Sequence, residues 1–267
     1  MGANLKGIGV TDIKRSIGQS DSKNEVFTPD SIVREMLDET DNMLRINGIH
    51  TDEDYLQYIV LEPTCGTGNF LVRELERKLR IVLKYTGKDR EIALLKAVSS
   101  IHGIELTASN VVVTKLRLLD LIKTGTTDIF ELEYLNKENI KLEPIQLTPN
   151  IEKSIQYILD RNIICGNSLT CKKLLINTEC SSEQIWKLKY NNINESMFST
   201  SDIEIELVLT QYDFENGKVA IRERTYENMH SNNEIYRNTS EYVDYDKIYT
   251  LNNNEIYSKD DSCDFDF

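Results

Sequence analysis

The sequence predicts an α/β protein with a doubly wound parallel sheet and a small β-rich C-terminal segment. Short apolar runs alternate with longer segments whose apolar residues recur at helical spacing, which is typical of such sheets. A tight Gly-x-Gly turn follows the first apolar run, where nucleotide-binding sheets bring bare backbone against a ligand. The predicted strands are 58–61, 101–106 and 160–165, and the helices between them are 69–85, 91–99 and 109–123.

A further helix is predicted upstream of the first strand. Thr28 or Asp30 is a suitable N-cap for it, and Pro29 suits its first turn. The apolar residues that share one predicted face of this helix are Ile32, Val33, Met36 and Leu37.

After residue 175 the pattern changes from helical to alternating. The alternation over 203–209 predicts one half-buried strand, and Asn216-Gly217 predicts a hairpin turn before a returning strand that contains Val219 and Ile221. We therefore divide the chain into a flexible arm at 1–24, a ligand-binding domain at 25–175, a hairpin-containing completion of the sheet or appendage at 176–227, and an acidic tail at 228–267. The tail contains Asn-Asn-Glu-Ile-Tyr twice, which fits a duplicated strand, a binding motif or compositional accident.

The composition, 40% apolar and 28% charged, is typical of soluble globular proteins. No stretch approaches the ~18 consecutive apolar residues of a membrane span, and the N-terminus lacks the profile of a signal peptide. The five cysteines are scattered without a Cys-x-x-Cys pair, which favours reduced thiols in a cytoplasm over disulfides or a metal site.

The net charge of −13 is unusual for a protein that binds DNA, because DNA binding normally requires a basic surface. The excess is concentrated in residues 201–267, which hold 16 acidic and 6 basic residues. Residues 1–200 hold 28 acidic and 25 basic residues, so most of the chain is nearly neutral.

Residues 62–70, Glu-Pro-Thr-Cys-Gly-Thr-Gly-Asn-Phe, carry a family resemblance. They resemble the S-adenosylmethionine loop of the N6-adenine DNA methyltransferases, whose form is roughly Asp-Pro-Ala-Cys-Gly-Ser-Gly-Asn-Phe. The resemblance implies a Rossmann-like, S-adenosylmethionine-dependent methyltransferase sheet. It also implies that Glu62 accepts hydrogen bonds around the methionine amino group and that Phe70 packs near the adenine. The loop residues that would bind the cofactor are Glu62, Pro63, Thr64, Cys65, Gly66, Gly68, Asn69 and Phe70.

Three further segments follow the order expected for that family. Val26-Phe27-Thr28-Pro29 resembles the Phe-Tyr-Thr-Pro segment at the methionine end of the cofactor, which implicates Thr28 and Pro29. Glu105, followed by Leu106, closes the strand at 101–106, where a carboxylate can bind both ribose hydroxyls. Residues 162–169 resemble the family's adenine-reading segment, which implicates Asn167, as acceptor from N6 and donor to N1, and Ser168.

The family's catalytic element, Asn/Asp-Pro-Pro-Tyr/Phe, is missing. The prolines stand at 29, 63, 144 and 149, so none follows the adenine-reading segment. Proline fixes the backbone of that element, and loosely similar residues cannot imitate it. The nearest aromatic and acidic substitute is Tyr212-Asp213-Phe214.

Three hypotheses about function follow. In the first, the chain belongs to the DNA adenine-N6 methyltransferase family of a bacterial or phage modification system, binds S-adenosylmethionine, and needs a partner subunit for catalysis or target recognition on DNA. In the second, it is an active methyltransferase with a divergent catalytic loop near residues 212–214. In the third, it is a non-catalytic acidic protein that mimics nucleic acid or docks on a basic partner.

Overall fold

The computed structural model describes residues 28, 30–126, 142–225, 236 and 238–251. It confirms a mixed α/β protein with a five-stranded sheet, several helices and a second, four-stranded sheet. Within the described residues, no helix combines the length and apolar character needed to cross a membrane.

Three parallel strands form the part of the main sheet that the sequence predicted. They are β1 (Val60–Glu62), β2 (Ile101–Glu105) and β3 (Ile163–Asn167), in the order β1-β2-β3. Two antiparallel strands, β4 (Lys172–Asn177) and β5 (Ser199–Glu206), then extend the sheet. Only part of the sheet is therefore parallel, and its described strands follow one another across the sheet without the reversal of order that defines a doubly wound fold.

The helices precede or connect these strands. Before β1 lie α1 (Asp30–Ile46) and α2 (Asp52–Gln57); α3 (Asn69–Val82) and α4 (Gly87–Ser99) connect β1 to β2; α5 (Ala108–Thr124) and α6 (Pro149–Asn162) connect β2 to β3; and α7 (Ser182–Ile185) follows β4.

The third predicted strand was placed too early, because residues 160–162 belong to α6. The Thr148 side chain caps that helix by accepting a hydrogen bond from the Ile151 N–H, and Pro149 occupies its first turn. At its end, the Asn162 amide donates to the carbonyls of Ser99 and Ile101, at 3.0 Å each. Asn162, which the sequence analysis placed inside a strand, therefore closes a helix against β2.

Helices and strands cover opposite faces of β2. A Cβ built on Gly103 would lie 2.7 Å from Leu71 Cδ1 and 2.9 Å from Cys65 Sγ, so α3 packs directly on that face. On the other face, Ile104 and Ile164 pack against Leu207 and Leu209, at the start of the second sheet. The second sheet therefore takes a place that helices would occupy in a doubly wound fold.

The second sheet consists of β6 (Val208–Glu215), β7 (Lys218–Thr225), β8 (Asn238–Thr239) and β9 (Val243–Asp244), all antiparallel. The predicted hairpin between β6 and β7 is confirmed. Asn216 and Gly217 have φ values of 51° and 76°, so both central residues adopt the left-handed conformation of a type I′ turn.

The single half-buried strand predicted over 203–209 was wrong. The chain forms two strands in two sheets, β5 and β6, which separate at the buried Leu207. Ile203 and Ile205 on β5 are 61% and 41% exposed, and β5 pairs with β4 at the edge of the sheet that the described strands form. Alternation continues across Leu207, so the pattern could not reveal the change of sheet.

Part of the predicted acidic tail belongs to the core. Ile248 and Leu251 are buried, and the Tyr249 hydroxyl donates to Asn150 Oδ1 on α6 at 3.2 Å. The flexible arm predicted at 1–24 lies outside the described residues, as does the Asn-Asn-Glu-Ile-Tyr repeat apart from Tyr236.

The buried His102 makes stability depend on pH. Its Nε2 lies 2.8 Å from the Thr210 carbonyl, and burial lowers its pKa from 6.5 to about 4. Between these values the unfolded chain binds the additional proton, so this group's contribution to the free energy of unfolding falls as the pH drops. The loss between pH 7 and pH 4 is about 3 kcal/mol.

Urea unfolding at pH 7 and pH 4 will measure this contribution in His102→Gln. On acidification, the free energy of unfolding of the variant should fall by about 3 kcal/mol less than that of the wild type. His50→Asn, at an exposed position, is the matched control and should follow the wild type. An equally steep loss in His102→Gln would contradict the assignment.

Candidate functional site

A cleft of about 190 Å³ lies between the loop that follows β1 and the beginning of α1. This loop leaves the carboxyl end of a parallel strand, which is where α/β sheets place their ligands. The sequence did not predict three of the lining residues, which are Val33, Met36 and Thr67. The complete lining consists of Thr28, Val33, Met36, Glu62, Thr64, Cys65, Gly66, Thr67, Asn69 and Phe70.

Two glycines give the loop its conformation. Gly66 and Gly68 have φ values of 54° and 84°, in the left-handed region that favours glycine. A Cβ on Gly68 would lie 2.6 Å from Thr114 Cγ2, so α5 leaves no room for a side chain there. Gly68 also stands at the N-cap of α3 without a side-chain hydrogen bond, which leaves the first-turn N–H groups of α3 available to a ligand.

The Glu105 carboxylate connects the loop to the end of β2. Its Oε2 accepts the Gly66 N–H at 2.9 Å, and its Oε1 accepts the Thr107 N–H at 2.8 Å and the Asn110 amide at 3.4 Å. The sequence predicted that this carboxylate would bind two ribose hydroxyls. Both oxygens already accept hydrogen bonds from the protein, so only their remaining lone pairs could serve a ligand. Leu106, the next residue, is exposed.

Three polar residues on one face of α5 support the loop. Asn110, Thr114 and Arg117 are spaced i, i+4 and i+7, and all three are buried. The Thr114 hydroxyl donates to the Gly66 carbonyl at 3.1 Å, and Arg117 Nη1 donates to Thr67 O and Asn69 Oδ1 at 2.5 and 2.9 Å. The sequence placed Asn110 and Arg117 on this helix without a role. The signal that could have revealed their role is the row of polar residues, Asn110, Thr114 and Arg117, on one face of an otherwise apolar helix.

Helix α1 forms the opposite wall of the cleft through Val33 and Met36. Asp30 fixes this helix on α3, because its carboxylate binds Arg73 Nε and Nη2 at 2.5 and 2.7 Å. The Asn69 amide also donates to the Thr28 carbonyl at 3.4 Å. Pro29, the second predicted residue of this segment, lies outside the described residues.

Glu62 is the carboxylate among the lining residues, and it is half-buried. The Thr64 hydroxyl donates to its Oε1 at 3.4 Å. Burial, with the nearby charges of Glu105 and Glu62, raises the pKa of the Cys65 thiol well above its usual value. Cys65 is therefore a neutral packing residue and not a nucleophile. Pro63 is exposed and does not line the cleft.

Asn167 and Ser168 stand at the end of β3 and do not line the cleft. The sequence predicted that Asn167 would accept from adenine N6 and donate to N1. Its Oδ1 instead accepts the N–H groups of Leu169 and Thr170, at 3.0 and 3.3 Å. These bonds stabilise a turn and occupy the acceptor, so the donor nitrogen is the part of this amide that remains for a ligand.

The catalytic candidates Tyr212, Asp213 and Phe214 lie on β6, away from the cleft. The Thr210 carbonyl on the same strand contacts His102, near the amino end of β2, whereas Glu105 closes the carboxyl end. Burial raises the pKa of the Tyr212 hydroxyl well above 10, and the Asp213 carboxylate binds Arg222 and Tyr242, at 2.6 Å each. The structure therefore places none of these three residues in the lining of the cleft.

No family model matches this chain, and neither the curated proteins nor the solved structures compared with it show significant similarity.

Replacing Gly68 with alanine should destabilise the protein. The new Cβ would approach Thr114 Cγ2, and the left-handed backbone alone costs a non-glycine residue about 1–3 kcal/mol. Gly48→Ala is the matched control, since Gly48 has φ of 98° and no atom near its Cβ position.

Urea unfolding should show a larger loss for Gly68→Ala than for Gly48→Ala. Adding Thr114→Ser, which removes the contacting methyl group, should recover part of the excess. Equal losses at the two glycines would show that the contact with α5 does not constrain the loop.

Proposed function

We propose that this chain binds S-adenosylmethionine at the cleft and acts in the cytoplasm as the cofactor-binding component of a bacterial or phage DNA adenine-N6 modification system. The observation that carries the proposal is the meeting of two sequence segments at one cleft. Thr28 belongs to the first segment, and Glu62 to Phe70 belong to the second. The same proposal treats the three parallel strands as part of a Rossmann-like methyltransferase sheet.

The charges and apolar groups at the cleft suit the methionine end of this cofactor. Glu62 supplies a carboxylate for the ligand's cationic amino group. The uncapped N-terminus of α3 supplies N–H groups and a favourable dipole for the ligand's carboxylate. Val33 and Met36 provide apolar surface for the carbon chain, together with Phe70, which the family resemblance had placed near the adenine instead. The bound cofactor would supply an electrophilic methyl group.

The size of the cleft suggests which half of the cofactor it encloses. About 190 Å³ is smaller than the ~300–1,000 Å³ of typical small-molecule sites. In our proposal, the methionine half therefore occupies the cleft, and the adenosine half lies over the exposed Leu106 at the end of β2.

Methyl transfer needs a group from outside these 267 residues. The chain has no proline after Pro149, so the Pro-Pro-aromatic loop that holds a flipped adenine is missing from the sequence. Tyr212-Asp213-Phe214, the nearest substitute in the sequence, does not line the cleft. Because the chain has a net charge of −13, which disfavours contact with DNA phosphates, we also assign most of the DNA contact to a partner subunit.

The alternative of an acidic DNA mimic receives less support. Residues 238–251 belong to the acidic tail on which that hypothesis rests, and they pack into the core through Ile248 and Leu251. Packing against the core accounts for the presence of this segment, so mimicry of nucleic acid is not needed to explain it.

Calorimetric titration with S-adenosylmethionine tests the proposal. Two exposed methionines on α1 provide a matched pair, since Met36 lines the cleft and Met43 does not. Met36→Trp should weaken binding at least tenfold by filling the cleft, and Met43→Trp should bind like the wild type. Absence of wild-type binding, or equal affinity in the two variants, would refute the site.

Glu62→Gln tests the electrostatic part of the proposal. It keeps the shape of the side chain and removes the charge, so the charge-assisted hydrogen bond to the ligand's amino group is weakened. We expect a loss of about 1.5–3 kcal/mol in binding, or roughly 10- to 150-fold. Glu204→Gln, at an exposed carboxylate on β5, is the control and should leave the affinity unchanged. An unchanged affinity in Glu62→Gln would place the amino group elsewhere.

A further inference from the structure

Helix α1 has a second apolar face that is exposed. Its buried face carries Val33, Leu37 and Leu44. The exposed face carries Ile32, Met36, Met43 and Ile46, which are 44, 50, 61 and 83% exposed, and we call these four residues the α1 stripe. The sequence grouped Ile32 and Met36 with Val33 and Leu37 on one face, and the structure separates them.

The α1 stripe runs along one side of the helix as two apolar pairs, Ile32 with Met36 and Met43 with Ile46. Its members are spaced i, i+4, i+11 and i+14, and successive residues advance by about 100°, so the four side chains fall within one narrow sector. The stripe is about 21 Å long at the helical rise of ~1.5 Å per residue. Four exposed apolar side chains on one side of a well-anchored helix indicate an interaction surface.

Two acidic side chains accompany the stripe. Glu39 stands within it, midway between Ile32 and Ile46, and Glu35 borders it on one side. Within the part of the chain that the structure describes, these two exposed carboxylates accept no hydrogen bond and form no ion pair. They stand four residues apart on one helix and repel each other.

The other three acidic residues of α1 are paired. Asp30 binds Arg34 and Arg73, and Asp38 and Asp41 bind Arg77. The helix therefore separates carboxylates that are compensated within the protein from carboxylates that remain uncompensated beside an apolar row.

We propose that the α1 stripe binds a basic amphipathic helix of a partner protein. An apolar row with carboxylates in and beside it is complementary to a helix that carries apolar residues at i, i+3, i+4 and i+7 and lysine or arginine beside them. A second copy of α1 fits poorly, because Glu39 stands at the midpoint of the stripe and would meet its own counterpart. The same charges disfavour an anionic membrane surface.

The inference goes beyond cofactor binding and does not require it. Met36 belongs both to the stripe and to the wall of the cleft. A helix docked on the stripe would therefore lie next to the cleft.

A labelled peptide provides the probe. We would titrate the full chain into a fluorescein-labelled 18-residue helix of leucine and lysine, with leucines on one face, and measure anisotropy. A second peptide with glutamate in place of lysine controls for non-specific apolar association. We expect micromolar binding of the lysine peptide and at least tenfold weaker binding of the glutamate peptide.

Variants of the stripe locate the binding. Met43→Ser/Ile46→Ser, which leaves the cleft intact, should weaken binding of the lysine peptide at least tenfold. Ile203→Ser/Ile205→Ser, which removes two exposed apolar residues from β5, is the matched control and should bind like the wild type. No binding by the wild type, or equal losses in these two variants, would overturn the proposal.

Charge reversal provides a readout that apolar association alone would not change. Glu35→Lys/Glu39→Lys should lose affinity for the lysine peptide and gain affinity for the glutamate peptide. Asp202→Lys/Glu204→Lys makes the same change in net charge on β5, and this variant should still bind the lysine peptide more tightly than the glutamate peptide. If both variants came to prefer the glutamate peptide, the proposal would be overturned, because net charge and not the stripe would govern binding.

Two further outcomes would assign the stripe to other occupants and overturn the proposal. Sedimentation velocity that shows a dimer, dissociated by Met43→Ser/Ile46→Ser, would assign it to a second copy. Peptide binding that appears only after Lys14→Glu/Arg15→Glu would assign it to the chain's own residues 1–27.

Discussion

The geometry of the cleft depends on the Glu105 carboxylate. It accepts hydrogen bonds from Gly66 N–H and Thr107 N–H, and so it joins the loop after β1 to the beginning of α5. The carboxylate is 9% exposed, and these charge-assisted bonds offset the cost of removing it from water. The loop is therefore ordered before a ligand arrives, which reduces the entropy lost on binding.

Helix α5 supports the same loop from the other side. Its buried polar row reaches the carbonyls of Gly66 and Thr67 through Thr114 and Arg117. These bonds satisfy backbone groups that would be costly to bury alone. Thr114 also excludes any side chain at Gly68. Loop conformation is thus determined by residues almost fifty positions away in the chain.

The main sheet is asymmetric, and this bears on the proposed function. Parallel strands β1 to β3 hold the cleft, and the antiparallel strands β4 and β5 extend the sheet on the β3 side. The second sheet covers Ile104 and Ile164 on the face away from α3. The residues that line the cleft all lie between positions 28 and 70, in the first half of the chain. If the proposed function is correct, the group that holds the target base is separate from the cleft.

Local sequence patterns determined the three parallel strands, the glycine loop and the Asn216-Gly217 hairpin, because each depends on the periodicity or backbone freedom of neighbouring residues. Seven of the ten residues that line the cleft were named from the resemblance of two segments to a methyltransferase family. The tertiary structure alone decided that Ile32 and Met36 face outward, that the chain changes sheets at Leu207, and that Tyr212-Asp213-Phe214 lie away from the cleft. It also decided that Glu105 binds a loop 39 residues away. These outcomes depend on which distant segments meet, and a local pattern carries no information about the partner on the other side of a contact.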